Sequence, residues 1–127
     1  MNSLTLSVNI PKTYLVTGAN SGLGFYTALG IAETGGEVIL VCKNPVAGNK
    51  AKEEIMNRSG NRAFHLFIAD LSSQKQIRQL ATALENSFEK IDVLINNAGC
   101  NFVNHTLTAD GIEMQFAVNH LASFLLT

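Results

Sequence analysis

The stretch Thr17-Gly18-Ala19-Asn20-Ser21-Gly22-Leu23-Gly24 decides the fold that this sequence predicts. It comes directly after a β-rich run, Thr13–Thr17, and opens a stretch with helical spacing of its apolar residues, Gly22–Thr34. Glycines at a turn from strand to helix let the backbone come close to a ligand. The helix that follows presents free N–H groups and the positive end of its dipole. The stretch therefore predicts a site for a pyrophosphate group.

The spacing of the glycines leaves two interpretations open. It is G-x-x-x-G-x-G here, whereas the common dinucleotide fingerprint is G-x-G-x-x-G. A glycine-rich turn that holds no ligand is the alternative. A nucleoside-triphosphate P-loop is excluded, because no Gly-Lys-Ser/Thr sequence follows the turn.

Outward from this turn, short apolar runs alternate with helical patterns. The predicted elements are the strand Glu37–Cys42, a helix that Pro45 opens and Val46–Arg58 continues, the strand Ala63–Ala69, the helix Gln74–Phe88, the strand Ile91–Ile95 and a last helix over Ala109–Thr127. The strands are continuous apolar runs, as in a parallel sheet that is buried on both faces. The order βαβαβαβα, with connections long enough for crossover helices, predicts an α/β fold with a Rossmann-type doubly wound parallel sheet.

Composition and charge argue against several functional classes. The 127 residues are 46% hydrophobic and 15% charged, which suits one globular domain. The net charge of -1, without a run of Lys or Arg, argues against a nucleic-acid partner. Neither the cysteines, Cys42 and Cys100, nor the histidines have the spacing of a metal site. With no signal-peptide pattern and no apolar run of membrane-spanning length, the sequence predicts a cytoplasmic protein.

Four motifs in order give the sequence a resemblance to a known family. They are Thr17–Gly24, Asp70-Leu71 at the end of the third predicted strand, Asn96-Asn97-Ala98-Gly99 at the end of the fourth, and Asn119 in the last predicted helix. Together they resemble the short-chain dehydrogenase/reductase family from about Thr13 to Thr127. The final segment, N-H-L-A-S-F-L-L-T, is most similar to the retinol-dehydrogenase-like branch. The resemblance implies hydride transfer between a nicotinamide cofactor, NAD or NADP, and a carbonyl or alcohol substrate.

The resemblance also assigns roles in the glycine-rich turn. It implies that Gly18, Gly22 and Gly24 shape the turn around the pyrophosphate of the cofactor. Asn20 and Ser21 would contact phosphate or ribose.

Further roles fall on residues after the first turn. By the same resemblance, Leu23 would pack near the nicotinamide, Asp70 would accept a hydrogen bond from the adenine amino group, and Leu71 would lie beside the adenine ring. Asn97-Ala98-Gly99 would line the cofactor and brace the sheet. Asn119, the one catalytic residue that the resemblance places in this sequence, would hold a water in a proton relay.

Some of these residues have alternatives that the sequence leaves open. Asp70 could cap the helix that follows it, a position for which Ser72 and Ser73 are also candidates. Asn97 could be an ordinary turn residue, since Asn and Gly favour turns. Asn119 could be an exposed helical asparagine, although its neighbours are apolar.

The end of the second predicted strand bears on the choice between NAD and NADP. The NAD-type fingerprint places an acid there to bind the ribose 2′-hydroxyl, but this sequence has Cys42-Lys43-Asn44, and Glu37 lies at the other end of the strand. A cation suits a 2′-phosphate. We therefore expect a preference for NADP(H), in which Lys43 is the main residue that binds the 2′-phosphate and Asn44 lies beside it. NAD is the other candidate. The alternative is that Lys43 is a solvated loop lysine.

The family's catalytic Ser and its Tyr-x-x-x-Lys pair have no counterpart in this sequence. The two tyrosines are Tyr14, in the first strand, and Tyr26, which Gly30 follows four residues later. We expect residues 1–12 to be an N-terminal extension, and residues 13–127 to be the N-terminal half of a NAD(P)-binding Rossmann domain, truncated before the Tyr/Lys segment.

Two functions are open at this point. The first is an oxidoreductase whose full-length form acts on a small carbonyl or alcohol, a lipophilic one if the retinol-dehydrogenase likeness extends to the substrate. The second is a non-catalytic dinucleotide-binding or regulatory module. The resemblance also implies a homo-oligomer, because family members often associate through the last helix and the one that follows it.

Overall fold

The fold is a four-stranded sheet with helices on both faces. The structure is a computed structural model, and it describes residues 11–20, 22–99 and 104–127. Its elements in chain order are β1 (Thr13–Thr17), α1 (Gly22–Glu33), β2 (Glu37–Cys42), α2 (Pro45–Ser59), β3 (Phe64–Ile68), α3 (Gln74–Ser87), β4 (Val93–Ile95), α4 (Met114–Phe116), a π-helical segment (Ala117–Leu121) and α5 (Ala122–Leu126).

All strand pairings within the sheet are parallel, and the strand order is β3-β2-β1-β4. The chain runs from β1 outward through β2 to β3, then returns to place β4 on the other side of β1. The predicted Rossmann-type doubly wound sheet is therefore confirmed for this part of the fold. The strand order reverses between β1 and β4, and in open α/β sheets ligands bind at such a point, beyond the carboxyl ends of the strands.

The strands alternate between two apolar cores, one on each face of the sheet. On one face Val38 and Leu40 of β2 pack with Ala28 of α1 and Ile55 of α2. On the other face, the alternate positions of the strands pack against Leu80 and Leu84 of α3; the strand residues are Leu15, Ile39 and Val41. Because side chains alternate along a strand, a strand buried on both sides needs an unbroken apolar run, which is what β2 has.

Helix α2 shows how local sequence sets an element's ends. Asn44 adopts extended dihedrals before the helix, and its side-chain oxygen accepts a hydrogen bond from the N–H of Ala47 at 3.0 Å. Pro45 occupies the start of the helix, where no hydrogen bond is lost. Gly60 ends the helix with a φ of 73° and donates its N–H to the carbonyl of Met56.

The last helix differs from its prediction, which began it at Ala109. It begins at Met114, because Thr108 to Ile112 form a tight turn in which the Thr108 N–H donates to the Ile112 carbonyl at 2.7 Å. Gly111 has a φ of 75° in this turn, which other residues rarely adopt. Within the helical run, the N–H of Ala122 donates to the carbonyl of Ala117, the spacing of a π-helix.

Among the described residues, no helix is long and apolar enough to cross a membrane.

Candidate functional site

A cavity of about 380 Å³ lies at the carboxyl edge of the sheet. Its volume falls within the range of roughly 300–1,000 Å³ that is typical of ligand sites. Loops that follow all four strands contribute to it, together with the start of the last helical run. The lining residues are Gly18, Asn20, Val41, Lys43, Ala69, Asp70, Leu71, Ser72, Asn97, Ala98, Gly99, Met114 and Val118. The structure thus brings together eight of the predicted cofactor residues.

Thr17, the last residue of β1, joins two of the loops that line the cavity. Its buried hydroxyl oxygen accepts hydrogen bonds from the N–H groups of Asn97 at 3.0 Å and Ala98 at 2.9 Å. The Asn97 side chain in turn donates to the carbonyl of Gly18 at 3.3 Å. These bonds join the end of β4 to the glycine-rich turn, so Asn97 braces the two strands and is more than a turn residue. The sequence places Thr17 in the motif but does not predict this bracing role, since a threonine at the end of a strand carries no signal of its own.

The three glycines of the turn differ in why a larger residue would not fit in their place. A Cβ on Gly18 would lie 2.8 Å from the Cα of Ala98, and Gly18 also has a φ of 64°. A Cβ on Gly24 would overlap the carbonyl oxygen of Gly18 and the side chain of Asn97. Gly22 has a φ of 58° but open space where its Cβ would be. Two of the three glycines therefore let the turn pack on itself and on β4, while Gly22 leaves the surface in front of it clear.

Helix α1 begins two residues after Asn20, which lines the cavity. Its first turn contains no acidic side chain. No internal carboxylate there competes with an anion for the free N–H groups. Leu23, in the same turn, is 75% exposed and does not line the cavity. The predicted contact of Ser21 lies outside the described residues.

Lys43 and Asp70 are the charged residues that line the cavity. The ammonium of Lys43 lies 3.8 Å from a carboxylate oxygen of Asp70, and the Lys43 side chain is 77% exposed. Burial works against the charged form of Asp70, but hydrogen bonds from Ser72 and the charge of Lys43 outweigh it and hold the pKa of this carboxyl below its usual value. The cavity therefore offers a cation after β2 and an ionised acceptor after β3.

The structure shows which of Asp70, Ser72 and Ser73 caps α3. The side chain of Ser73 accepts from the N–H of Gln76 at 3.2 Å, so Ser73 is the N-cap of α3. Asp70 instead accepts from the N–H and the hydroxyl of Ser72, at 2.9 and 2.7 Å. Asp70 is therefore positioned by the loop before α3 and does not cap that helix.

Two polar residues that the sequence analysis considered for the choice of cofactor lie away from the cavity. Asn44 caps α2 and is not among the cavity's lining residues, so its contact with a cofactor stays a prediction. Glu37 lies at the amino end of β2, where His65 is bonded to it at 2.8 Å, and hence at the edge of the sheet opposite the cavity.

The last helical run forms the remaining wall of the cavity through Met114 and Val118. Their spacing of four residues puts both on one face of a helix, a signal that was present in the sequence. Asn119 follows Val118 in the π-helical segment, and a Cβ on Gly99 would lie 3.3 Å from its side-chain oxygen. The predicted catalytic residue is thus placed beside the end of β4, next to the cavity. π-Helical turns are frequent at functional sites.

Within the part of the chain that the structure describes, no cluster of three His, Cys, Asp or Glu side chains could hold a metal ion. Cys42 is 2% exposed in the core, and burial raises the pKa of its thiol.

Comparisons with known proteins agree with this geometry. The short chain dehydrogenase family model matches residues 12–127. Human Dehydrogenase/reductase SDR family member 12 is 46% identical over 123 residues, which are 96% of this chain and 38% of that protein. Human Retinol dehydrogenase 13 is 45% identical over 116 residues, which are 91% of this chain and 35% of that protein. The chain therefore spans less than two-fifths of the length of these two relatives.

Solved structures show the same likeness in three dimensions. A short-chain dehydrogenase from Sphingobium yanoikuyae in complex with NADPH superposes with a TM-score of 0.76 at 31% identity, over 92% of this chain and 45% of that one. A metagenomic short-chain oxidoreductase in complex with NADP gives a TM-score of 0.77 at 28% identity, over 91% and 52% of the two chains. The resemblance predicted from the four motifs is confirmed, and the chain belongs to the short-chain dehydrogenase family.

Proposed function

We propose that the protein containing this chain is an NAD(P)-dependent oxidoreductase that prefers NADP(H) and reduces or oxidises a lipophilic carbonyl or alcohol. The observation that carries the proposal is the cavity at the carboxyl edge of the sheet, where the turns after β1, β2, β3 and β4 converge. The chain would supply the cofactor-binding part of the active site.

The residues present suit a dinucleotide. Gly22 leaves open space in front of the turn, and the first turn of α1 has no acid, so a pyrophosphate could approach the helix N-terminus. Asp70 and Leu71, which follow β3 and so lie two strands across the sheet from that turn, offer a carboxylate acceptor and an apolar side chain, which suits an adenine. Asn97, Ala98 and Gly99 line the same cavity on the β4 side, which suits the nicotinamide half.

When bound, the dinucleotide would give a hydride to the substrate's carbonyl carbon, or take one from its alcohol carbon. The chain's own residues would bind and orient the cofactor, while the proton for the carbonyl oxygen would come from elsewhere in the protein. Tyr14 and Tyr26 are not among the residues that line the cavity. We propose that Asn119, beside Gly99, helps to hold a water on the proton's path.

The preference for NADP(H) rests on the charges after β2. Lys43 is largely exposed at the cavity's edge, and the acid that would suit a 2′-hydroxyl is missing from this end of the strand. Two structural relatives whose descriptions name NADPH or NADP support the choice. The lipophilic substrate is supported by the name of a relative that is 45% identical, Retinol dehydrogenase 13.

We also propose that the full-length protein is a homo-oligomer. Phe116 and Phe124, on the last helical run, are 51% and 73% exposed, and Phe116 stacks on the ring of His120. Such exposed aromatic side chains suit burial against another surface.

Turnover of the full-length protein tests the function. The oxidation of NADPH is followed at its absorbance band with a panel of ketones and aldehydes that range from short polar compounds to long-chain and retinoid-like ones. We expect steady turnover with at least one lipophilic carbonyl. Saturable cofactor binding with no turnover on any carbonyl or alcohol would instead favour a non-catalytic binding module.

A further inference from the structure

Asp110 links two walls of the cavity without lining it. Its carboxylate accepts a hydrogen bond from the N–H of Gln74, the first residue of α3, at 2.9 Å. The two residues are separated by 36 positions in the sequence. Helix α3 follows directly on the loop Asp70–Ser72, which forms one wall of the cavity.

Helix α3 is tied to that wall by further hydrogen bonds. The side-chain oxygen of Gln76 accepts from the N–H of Asp70 at 2.8 Å, and the N–H of Ser73 donates to the carbonyl of Asp70 at 3.1 Å. A displacement of the first turn of α3 would therefore move Asp70, which is the acceptor offered to the ligand after β3.

On its other side, Asp110 belongs to the rigid turn that precedes the last helical run. The hydroxyl oxygen of Thr108, which is 8% exposed, accepts from the N–H groups of Asp110 at 3.2 Å and Ile112 at 3.3 Å. Leu107 and Glu113 form an antiparallel bridge across the turn. The Glu113 carboxylate then caps the helix by accepting from the N–H groups of the residues two and three positions on, at 2.8 and 3.0 Å.

The helix that starts at this cap carries the opposite wall of the cavity, Met114 and Val118, and then Asn119. At its far end, Leu126 packs on the α3 side of the core with Leu80 and Leu84. The start of the helical run is therefore fixed to α3 by the Asp110 bond, and its end by apolar packing.

From this arrangement we infer that Asp110 is a positioning residue for the cofactor: its bond to the N-terminus of α3 sets the separation between the Asp70–Ser72 wall and the Met114–Val118 wall. The inference rests on the proposed function in that the ligand between the walls is a nicotinamide dinucleotide. Loss of the bond leaves the cavity present but loosely closed, so the ligand is held less tightly.

The test compares three variants of the full-length protein. Asp110→Ala removes the bond between the walls. Asp110→Asn keeps a side-chain oxygen that can accept from Gln74. Ser73→Ala is the matched control, since it removes another acceptor from the same helix N-terminus without touching the turn around Thr108. Calorimetry gives the Kd for NADPH, and thermal melting gives Tm for each variant.

We expect Asp110→Ala to raise the Kd for NADPH up to about tenfold, because the ligand would then have to order the two walls that this hydrogen bond holds in the wild type. The Kd of Asp110→Asn should stay within about twofold of the wild type, because the acceptor is retained. Ser73→Ala should lower Tm at least as much as Asp110→Ala, yet leave the Kd near the wild-type value. Equal Kd values for Asp110→Ala and Ser73→Ala would overturn the inference, because Asp110 would then act as a helix cap only.

Hydrogen exchange of the ligand-free protein separates this inference from the proposed function. If Asp110 joins the walls, the amides of Met114–Phe116 and Ala117–Leu121 exchange faster in Asp110→Ala than in Ser73→Ala. Unchanged exchange in these segments would overturn the inference even in a protein that binds NADPH well. A wild type that binds no nicotinamide dinucleotide would contradict the proposed function, while the exchange difference would still support the bond between the walls.

Discussion

At the scale of single residues, Lys43 carries the preference that we propose between two nearly identical ligands. NADP differs from NAD by a 2′-phosphate, and Lys43 is the cation at the position after β2 where an acid would favour NAD. The structure adds a partner that the sequence could not predict, because the pairing of Lys43 with Asp70 depends on how β2 and β3 lie side by side. The Lys43 side chain remains 77% exposed in this pair, so it stays accessible to a ligand.

Reversal of this charge should reverse the preference. We expect Lys43→Glu to shift the ratio of the Kd values for NADPH and NADH toward NADH by at least about tenfold, since two charges a few ångströms apart near a protein surface interact by about 1–4 kcal/mol. Titration of both cofactors against the full-length protein measures the ratio. Any repulsion between the new glutamate and Asp70 affects both cofactors alike, so the ratio isolates the phosphate.

A matched control for this variant is Lys50→Glu. It makes the same change in net charge on an exposed position of α2, away from the residues that line the cavity. Its cofactor ratio should stay at the wild-type value. If Lys43→Glu and Lys50→Glu gave the same ratio, the effect would belong to the overall charge of the protein, and Lys43 would not be a reader of the phosphate.

At the scale of elements, the regular strands and helices were predictable, because each has a complete local signal. The apolar run of β2 and the Asn44-Pro45 start of α2 lie within a few residues of the ends that they set. The last helix was predicted to start five residues too early. Its true start depends on the turn at the buried Thr108, and Asp110 in this turn accepts a hydrogen bond from Gln74 of α3. Such a contact across the chain leaves no periodic pattern in the sequence.

In the candidate site too, residues with a local signal could be predicted from the sequence, whereas residues that act through long-range contacts could not. The ends of the strands, and hence Gly18, Asp70 and Asn97, could be placed from the sequence because parallel strands put their carboxyl ends at one edge. Thr17 and Asp110 could not be placed, since their roles are hydrogen bonds to residues about 80 and 36 positions away. A threonine in a strand and an aspartate in a loop are common, and only the folded chain distinguishes them.

At the scale of the whole molecule, the two edges of the sheet differ in kind. The carboxyl edge holds the cavity, whereas at the amino edge hydrogen bonds between polar side chains join neighbouring strands. There, the carboxylate of Glu37 accepts from the hydroxyl of Thr13 at 2.9 Å and is bonded to His65 at 2.8 Å, so it connects β1, β2 and β3. The ring of His65 also packs edge-on against Phe88, with 4.8 Å between centroids.

This connection predicts an acid-sensitive part of the stability. The hydrogen bond from His65, followed by that from Thr13, lowers the pKa of Glu37. A carboxyl whose pKa is lower in the folded state stabilises the protein above its unfolded pKa of about 4.3, and loses that contribution as the pH falls through the folded value. Glu37→Gln should therefore be less stable at neutral pH, and its free energy of unfolding should fall less steeply than that of the wild type below about pH 4.3.

Urea denaturation at a series of pH values measures this difference. Glu53→Gln, which makes the same change on the exposed face of α2, is the control and should keep the steep acid limb of the wild type. Parallel acid limbs for the wild type and Glu37→Gln would show that the connection at the amino edge does not contribute.

The most direct test of the account is a calorimetric titration of the full-length protein with NADPH and with NADH. We expect one saturable site per chain and tighter binding of NADPH than of NADH, since we propose that the cavity at the carboxyl edge takes a dinucleotide with its 2′-phosphate next to Lys43. No saturable binding of either cofactor would contradict the assignment of the cavity. Tighter binding of NADH would contradict the role of Lys43.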